Sequence, residues 1–294
     1  MRKVIRRAAI ALVIVAIAAG GAFAFALWQA ERKLERRLEV RVVPVPYTND
    51  RKALAQGKYL FETRGCAECH GADGRGVVFV DSPGGLHVKS PNITTGAGGV
   101  VSDYNEGDWV RAIRHGIAPS GRALVAMPSD DYNRMSDADF AALVAYVRAL
   151  PPVRGEPADI RMPFFVKALY GIGVVKDAAE KIDHRRPPAP GVPAAATAEH
   201  GAYVALMCAG CHRASFEGGP IPGAPPDWPP AANLTRGEAM ARYDTLDKFV
   251  AMMRTGKRPD GTSVSRVMPF MSLRNMNDTD LQAMYLYLRS LPAR

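Results

Sequence analysis

The chain has 294 residues, 48% of them hydrophobic and 23% charged, with a formal net charge of +9 at pH 7. That length holds two domains of common size plus connecting segments, and the hydrophobic fraction is that of an ordinary globular protein. Residues 1–46 carry nine Lys/Arg against three Asp/Glu, residues 47–155 balance at twelve each, and residues 156–196 and 197–294 add one and two positive charges. The basicity therefore belongs mainly to the N-terminus, where it bears on membrane topology and argues against nucleic-acid binding.

Arg2, Lys3, Arg6 and Arg7 precede an uncharged run from Ala8 to Ala30. Its 23 residues exceed the roughly 7–15 of a cleavable apolar region and match the ~20 needed to span a bilayer. The run reads as a signal sequence or an anchor. Ala22-Phe23-Ala24 and Ala24-Phe25-Ala26 offer small-residue cleavage sites, whereas the length favours an uncleaved transmembrane helix. Glu31 to Arg41 reads as a charged helical continuation, with Trp28 at the interface. The basic leader belongs on the cytoplasmic side, although Arg32, Lys33, Arg36 and Arg37 weaken that charge argument.

Residues 47–155 begin with an expected helix over 51–64 that runs into Cys66-Ala67-Glu68-Cys69-His70. The same pentapeptide pattern recurs as Cys208-Ala209-Gly210-Cys211-His212, and the two copies use every cysteine in the chain. Cys-x-x-Cys-His is the attachment signature of a c-type haem: each thiol closes a thioether bond to a porphyrin vinyl group, and the adjacent imidazole becomes the proximal iron ligand. Cysteines three apart lie on nearly one face of a helical turn, so both reach one porphyrin edge. A thioredoxin-like pair, a disulfide or half a zinc site are the competing readings of a bare Cys-x-x-Cys. A zinc site of four thiolates would need pairs 142 residues apart to converge, and it leaves both histidines unexplained.

The rest of the chain overlays itself at nearly the same offset. Asn92-Ile93-Thr94 falls on Asn233-Leu234-Thr235 at 141, Gly116 and Gly121 on Gly256 and Gly261 at 140, and Met127-Pro128 on Met268-Pro269 at 141. Each copy should hold a helix before the motif, a loop-rich middle with one shorter helix (106–115 or 245–255), and a closing amphipathic helix. Phe140, Leu143, Val144, Val147 and Leu150 recur at three and four in the first closing helix, and Leu281, Met284, Tyr285, Leu288 and Leu291 in the second. Ser136 and Asn277 are expected N-caps, with Asp139 and Asp280 three residues on. No stretch shows strand alternation, so the fold is expected to be all-α.

This layout resembles class I cytochrome c, whose N- and C-terminal helices cross with the haem between them; the resemblance covers about 200 of the 294 residues. It rests on the two haem motifs, the Met-Pro pairs and the closing helix from Ser136 to Leu150. With Asn-Ile-Thr upstream, the chain is similar to the cytochrome subunits of membrane-bound dehydrogenases for alcohols and gluconate. Those subunits commonly carry three haem domains, and this chain has two. The resemblance implies tandem cytochrome c domains at 47–155 and 197–294, behind the N-terminal segment 1–46 and joined by a linker at 156–196.

A thioether is a soft ligand that favours ferrous iron, so His/Met coordination gives a high-potential haem suited to carrying electrons. Met127 and Met268 lie 61 and 60 residues after the first haem cysteine of their copies, and each precedes proline, which stiffens the loop. The resemblance implies the same choice. The expected set is thus Cys66, Cys69, His70 and Met127 for one haem and Cys208, Cys211, His212 and Met268 for the other. Met135 and Met276 also repeat, but each sits just before the N-cap, where an apolar residue packs as a hydrophobic staple on Phe140 or Leu281. Met271 is a rival to Met268 by proximity. His115, aligned with Thr255, and His200, aligned with Lys58, lack a counterpart, as do His87 and His184; all four read as surface or structural.

Asn92-Ile-Thr94 and its repeat fit an Asx or Ser/Thr turn, or a hydrogen bond near a haem propionate. In the linker, 162–182 is apolar enough for a helix packed between the domains or on a partner subunit. Pro187 to Ala196 reads as an extended Pro/Ala spacer. The Pro-rich loop Gly218 to Pro230, with Trp228, reads as a haem-edge cover or a stiff surface loop.

The expected function is that of a membrane-anchored dihaem cytochrome c, an electron carrier with no catalytic residue of its own. Haem domains would face the periplasm from the bacterial cytoplasmic (inner) membrane. The resemblance implies a dehydrogenase subunit as donor, and the respiratory chain through quinone, another cytochrome or an oxidase as acceptor. The alternative is a dihaem enzyme such as a cytochrome c peroxidase or a thiosulfate-oxidising cytochrome, which needs one haem with an open or displaceable ligand. A redox or ligand sensor would carry an output module.

Overall fold

A computed structural model describes residues 1–221, 224, 228–237 and 239–293. The N-terminal helix α1 (Arg2–Glu35) is exposed over most of its 34 residues. Among the described residues it is the one helix long and apolar enough to cross a membrane. Its uncharged run is about 35 Å long at 1.5 Å per residue, enough for a hydrocarbon core of about 30 Å. The expected charged helix to Arg41 stops earlier. Arg36 turns extended and its guanidinium reaches Asp177 at 2.7 Å and Glu180 at 3.0 Å, so ion pairing outweighs another helical turn. The chain then runs along the first domain, where Leu38 donates to the Gly121 carbonyl and Val45 enters the core.

The first domain starts with α2 (Arg51–Thr63), capped by Asp50, and after a break at Arg64-Gly65 enters the single turn α3 (Cys66–His70). Strands β1 (Val78–Asp81) and β2 (His87–Lys89) follow, then α4 (Glu106–His115), α5 (Ser129–Tyr132) and α6 (Asp137–Ala149). Asn105 and Asp108 form a capping box on α4, and Ser136 caps α6 by accepting from the Asp139 N–H, as its sequence suggests. Helices α2 and α6 cross at Gly57, where an added Cβ would lie 2.0 Å from the Ala142 carbonyl oxygen. Around that crossing Leu60, Phe61, Phe140, Leu143 and Val144 are buried almost completely.

Two expectations change in the middle of the chain. An antiparallel sheet of order β1-β2-β3 is present, with β3 (Asp159–Arg161) supplied by the linker. Its strands have three or four residues, too few for alternation to stand out. The apolar stretch 162–182 is two helices, α7 (Phe164–Gly171) and α8 (Ala178–Lys181), because Gly173 takes a positive φ of 79° and Asp177 starts α8 with a capping box. Instead of packing between the domains, α7 packs on α1: a Cβ on Gly171 would meet the Ala26 carbonyl at 2.0 Å.

In the second domain α9 (Ala198–Val204) tightens into a 3-10 turn (Ala205–Cys208) before α10 (Ala209–His212), so the α-helix before this motif is shorter than α2. A further 3-10 turn (Ala239–Arg242), α11 (Leu246–Thr255), α12 (Phe270–Leu273) and α13 (Asp278–Ser290) complete it. Gly201 meets the Ala283 carbonyl just as Gly57 meets that of Ala142. Gly57 and Gly201 are 144 apart, two more than the haem motifs, so the first domain has two extra residues between crossing and motif. The structural counterpart of His200 is therefore Gln56, not Lys58. Each holds the aspartate in the first turn of its own closing helix, Gln56 donating to Asp139 at 3.0 Å and His200 lying 2.7 Å from Asp280.

A glycine inside a helix ordinarily costs about 1 kcal/mol against alanine. At these crossings the sign reverses: Gly57→Ala and Gly201→Ala should each destabilise their domain by about 1–3 kcal/mol through overpacking, read as a lower urea midpoint. His115 gives a pH dependence. Burial first, then His184 at 3.0 Å, Arg114 and Arg111, lower its pKa from 6.5 to about 4. The folded state thus holds it neutral, and its stabilisation is complete above about 6.5 and lost as pH falls through about 4. His115→Gln should flatten the stability slope in that window, measured by urea unfolding against pH.

Candidate haem sites

In the first domain one cavity is lined by Cys66, Cys69, His70 and Met127, with Ile93, Tyr104, Trp109, Leu143 and Val147 among its apolar walls. The motif reaches it because α3 is an isolated turn, entered and left by Gly65 and Gly71 at positive φ of 83° and 78°. His70 Nδ1 lies 3.2 Å from the Pro91 carbonyl oxygen, and His212 Nδ1 lies 2.7 Å from that of Ala232. A carbonyl can only accept, so Nδ1 carries the proton in each ring and the Nε2 lone pair stays available to a metal. Burial lowers both imidazole pKa values, which keeps the rings neutral.

The four thiols are free and half-buried. Burial pushes Cys66 and Cys208 up to about 12 and Cys69 up to about 11. A redox dithiol needs a stabilised thiolate, so these pairs do not suit thioredoxin-like exchange. Among the described residues no three His, Cys, Asp or Glu side chains gather as a metal-holding group, so the thiols do not form a shared zinc site.

Both Met-Pro pairs adopt one backbone form. Pro128 (φ −81°, ψ 58°) leads into α5 and Pro269 (φ −72°, ψ 59°) into α12. Met268 and Cys208 pack against the second core as Met127 and Cys66 do against the first. Met135 and Met276 are core residues in the same clusters as Phe140 and Leu281, and Met271 is 61% exposed. His87 faces Asp81 and Asp159 on the small sheet, and His115 pairs with His184. In both copies Asn-x-Thr is an Asx turn: Asn92 and Asn233 accept from the N–H two residues on, at 2.9 and 2.8 Å. Asn92 and Thr94 also bond the Val153 carbonyl, clamping the loop to the chain beyond α6. Within the loop 218–230, residues 222, 223 and 225–227 lie outside the described residues, and Trp228 is 38% exposed.

The domains meet through reciprocal contacts. Tyr59 donates to Asp280 at 2.7 Å and accepts from the Asn277 N–H at 3.2 Å; Tyr203 donates to Asp139 at 2.6 Å and accepts from the Ser136 N–H at 3.1 Å. Each tyrosine thereby caps the other domain's closing helix. The haem motifs are exchanged in the same way, since Glu68 accepts from the Ser272 N–H at 2.7 Å and Asp131 from the Gly210 N–H at 3.0 Å. Arg64, buried just before the first motif, bonds Met207 Sδ just before the second at 3.1 Å and pairs with Asp280 at 3.4 Å. The two attachment segments thus face each other across the interface.

Two thiols, an imidazole with a free Nε2 and a thioether around an apolar cavity match the donor set of a haem c. Trp109 Nε1, in the wall of the first cavity, is buried with no hydrogen-bond partner among the described residues, which calls for an acceptor that a bound group brings. The family pattern for cytochrome c matches residues 54–151 and 198–292. The chain belongs to the cytochrome c family. Its cofactors are two covalently bound haem c groups, one in each domain.

Among curated relatives of this cytochrome, the fructose dehydrogenase cytochrome subunit of Gluconobacter japonicus is 29% identical, over 85% of the chain and 55% of the relative. The gluconate 2-dehydrogenase cytochrome c subunit of Pantoea cypripedii is 28% identical over 81% and 59%. The alcohol dehydrogenase (quinone) cytochrome c subunit of Gluconacetobacter polyoxogenes is 28% identical over 83% and 57%. The chain spans a little over half the length of these relatives.

Sequence reasoning missed the interface residues Tyr59, Tyr203, Arg64, Glu68 and Asp131. The tyrosines carried a signal, because they repeat at the same 144-residue offset as Gly57 and Gly201. Arg64 carried none, since its counterpart is Leu206. Replacing both tyrosines in the holoprotein (Tyr59→Phe with Tyr203→Phe) leaves the buried Asp280 and the half-buried Asp139 each short of one donor. The expected loss is about 1–3 kcal/mol at Asp280 and less at Asp139, which water reaches, seen as separation of the two domains' thermal transitions by haem-band spectroscopy.

Proposed function

We propose that this cytochrome is a membrane-anchored dihaem electron carrier whose irons are both ligated by histidine and methionine: His70 with Met127, and His212 with Met268. The observation that carries the reading is that both Met-Pro turns have the same backbone form, that each methionine packs on the same core as the first cysteine of its motif, and that Met127 shares a cavity with Cys66, Cys69 and His70. A bound haem c supplies one-electron exchange at its iron. The chain does the rest. Cys66, Cys69, Cys208 and Cys211 fix the porphyrins, the carbonyls of Pro91 and Ala232 orient the imidazoles, and apolar walls keep water out. Methionine sulfur favours the ferrous state and a high potential. The reciprocal interface holds the two sites at one separation, which suits a relay.

The proposed organisation is an anchor and strap at 1–46, haem domains at 47–155 and 197–294, and a linker at 156–196. With α1 in the cytoplasmic membrane, the haem domains face the periplasm, where c-type haem is attached. The relatives' names support a dehydrogenase subunit as donor. The respiratory chain, through quinone, another cytochrome or an oxidase, is the acceptor that completes the reading. In this role the chain has no catalytic residue of its own.

The deciding measurement is the near-infrared spectrum of the oxidised protein with haem quantitation, for wild type, Met127→Ala and Met268→Ala. Two haems per chain and a methionine-to-iron charge-transfer band that each variant halves are expected. A band that only one variant removes, with a high-spin exchangeable second haem, would overturn the carrier and favour a peroxide- or thiosulfate-consuming enzyme.

A further inference from the structure

Outside α1, four large apolar side chains stand exposed within one eleven-residue stretch of the linker: Phe164 at 74%, Phe165 at 67%, Ile172 at 59% and Val174 at 64%. Left in water, a patch of this kind is a liability, and it ordinarily marks a surface that something covers. Here the structure says where the patch lies relative to the anchor. Gly171 packs backbone to backbone on Ala26 and Ala30, and these two are the buried residues of α1. Ala30 ends the uncharged run, and Ala26 lies four residues, about 6 Å along the helix axis, inside it. The contact is pinned from the aqueous side. Lys33 donates to the Tyr170 carbonyl at 2.9 Å and lies over the Tyr170 ring, and Lys167 pairs with Glu31 at 2.5 Å.

We infer that the α7 segment, with its tip at Ile172-Gly173-Val174, is a second membrane contact that rests in the interfacial layer of the bilayer beside α1. The occupant is lipid because the patch is continuous with the proposed span. A helix that leaves the hydrocarbon near Ala30 carries α7 at the same level, so its exposed apolar residues meet acyl chains and head groups. Trp28, half exposed on α1, suits the same layer. Lys176, exposed two residues beyond Val174, can extend its ammonium to lipid phosphates while its stem stays apolar. Mechanically, one helix through a membrane leaves its cargo free to swivel. A second contact beside it fixes which face of the haem pair looks along the membrane surface.

This inference rests on the reading of α1 as an anchor, and the test separates the two. The full-length holoprotein is placed in nanodiscs of phosphatidylethanolamine and phosphatidylglycerol. A nitroxide is attached through a ketone-bearing amino acid, which spares the haem cysteines, at position 14, 174 or 185 in turn. Collision with oxygen, which concentrates in lipid, is compared by electron paramagnetic resonance with collision with a water-soluble nickel chelate. Positions 14 and 174 should both favour oxygen, with 174 the shallower, while position 185, whose native side chain is 95% exposed, favours nickel. Lipid exposure at 14 with a nickel-accessible 174 would overturn the inference and leave the anchor standing, freeing the patch for a protein partner. A nickel-accessible 14 would overturn both.

Discussion

The contact on which each haem domain depends is a backbone-on-backbone crossing of its first and last helices, made at Gly57 on Ala142 and at Gly201 on Ala283. At that distance no side chain fits between the helices. The cost of a flexible glycine in mid-helix is therefore tied to the position of everything downstream. The crossing brings the first turn of the closing helix against the helix before the motif, where Gln56 or His200 holds the aspartate at that turn. It also points Tyr59 and Tyr203 outward to the opposite domain. One close approach thus sets the core inside each domain and the lock between them.

Much of this was legible in the sequence, because duplication shows each feature twice. The N-caps Ser136 and Asn277, the middle helices and the core role of Met135 and Met276 follow from local chemistry and spacing, which a single helix expresses on its own. What could not be read depends on distance in space. The sheet needs a strand from the linker and strands too short to alternate. Placing α7 on α1 requires knowing that Gly171 faces Ala26. The alignment of His200 failed for a subtler reason. Counting from the cysteines fixes the offset at 142, whereas the helix before them is out of step by two residues that only the crossing reveals.

The same dependence on distance applies to the electrostatics. Charge in the first domain balances overall, and nothing in its sequence distinguishes Arg64 from any other arginine before a motif. In the folded chain it is buried between the two attachment segments, with Asp280 as its counter-charge and Tyr59 on the same carboxylate. A buried pair of this kind is costly to desolvate and costly to break, so its value lies in fixing one relative placement of the domains.

That placement makes the two copies unequal although their proposed ligand sets match. The first motif carries Glu68 where the second carries Gly210, and each position meets the other domain's Met-Pro helix. Glu68 brings a negative charge to that contact. Gly210 brings only an N–H, and the carboxyl it meets, Asp131, has its charge suppressed by burial and Asp130, which raise its pKa to about 7. Charge and hydrogen bonding around a haem tune its potential when the ligands are fixed. Duplication supplied two like haem domains, and the interface residues that the repeat does not preserve, Arg64, Glu68 and Asp131, are where the two sites can be set apart. In the proposed relay the donor and acceptor set the overall direction, and a difference between the two sites would bias the step between them.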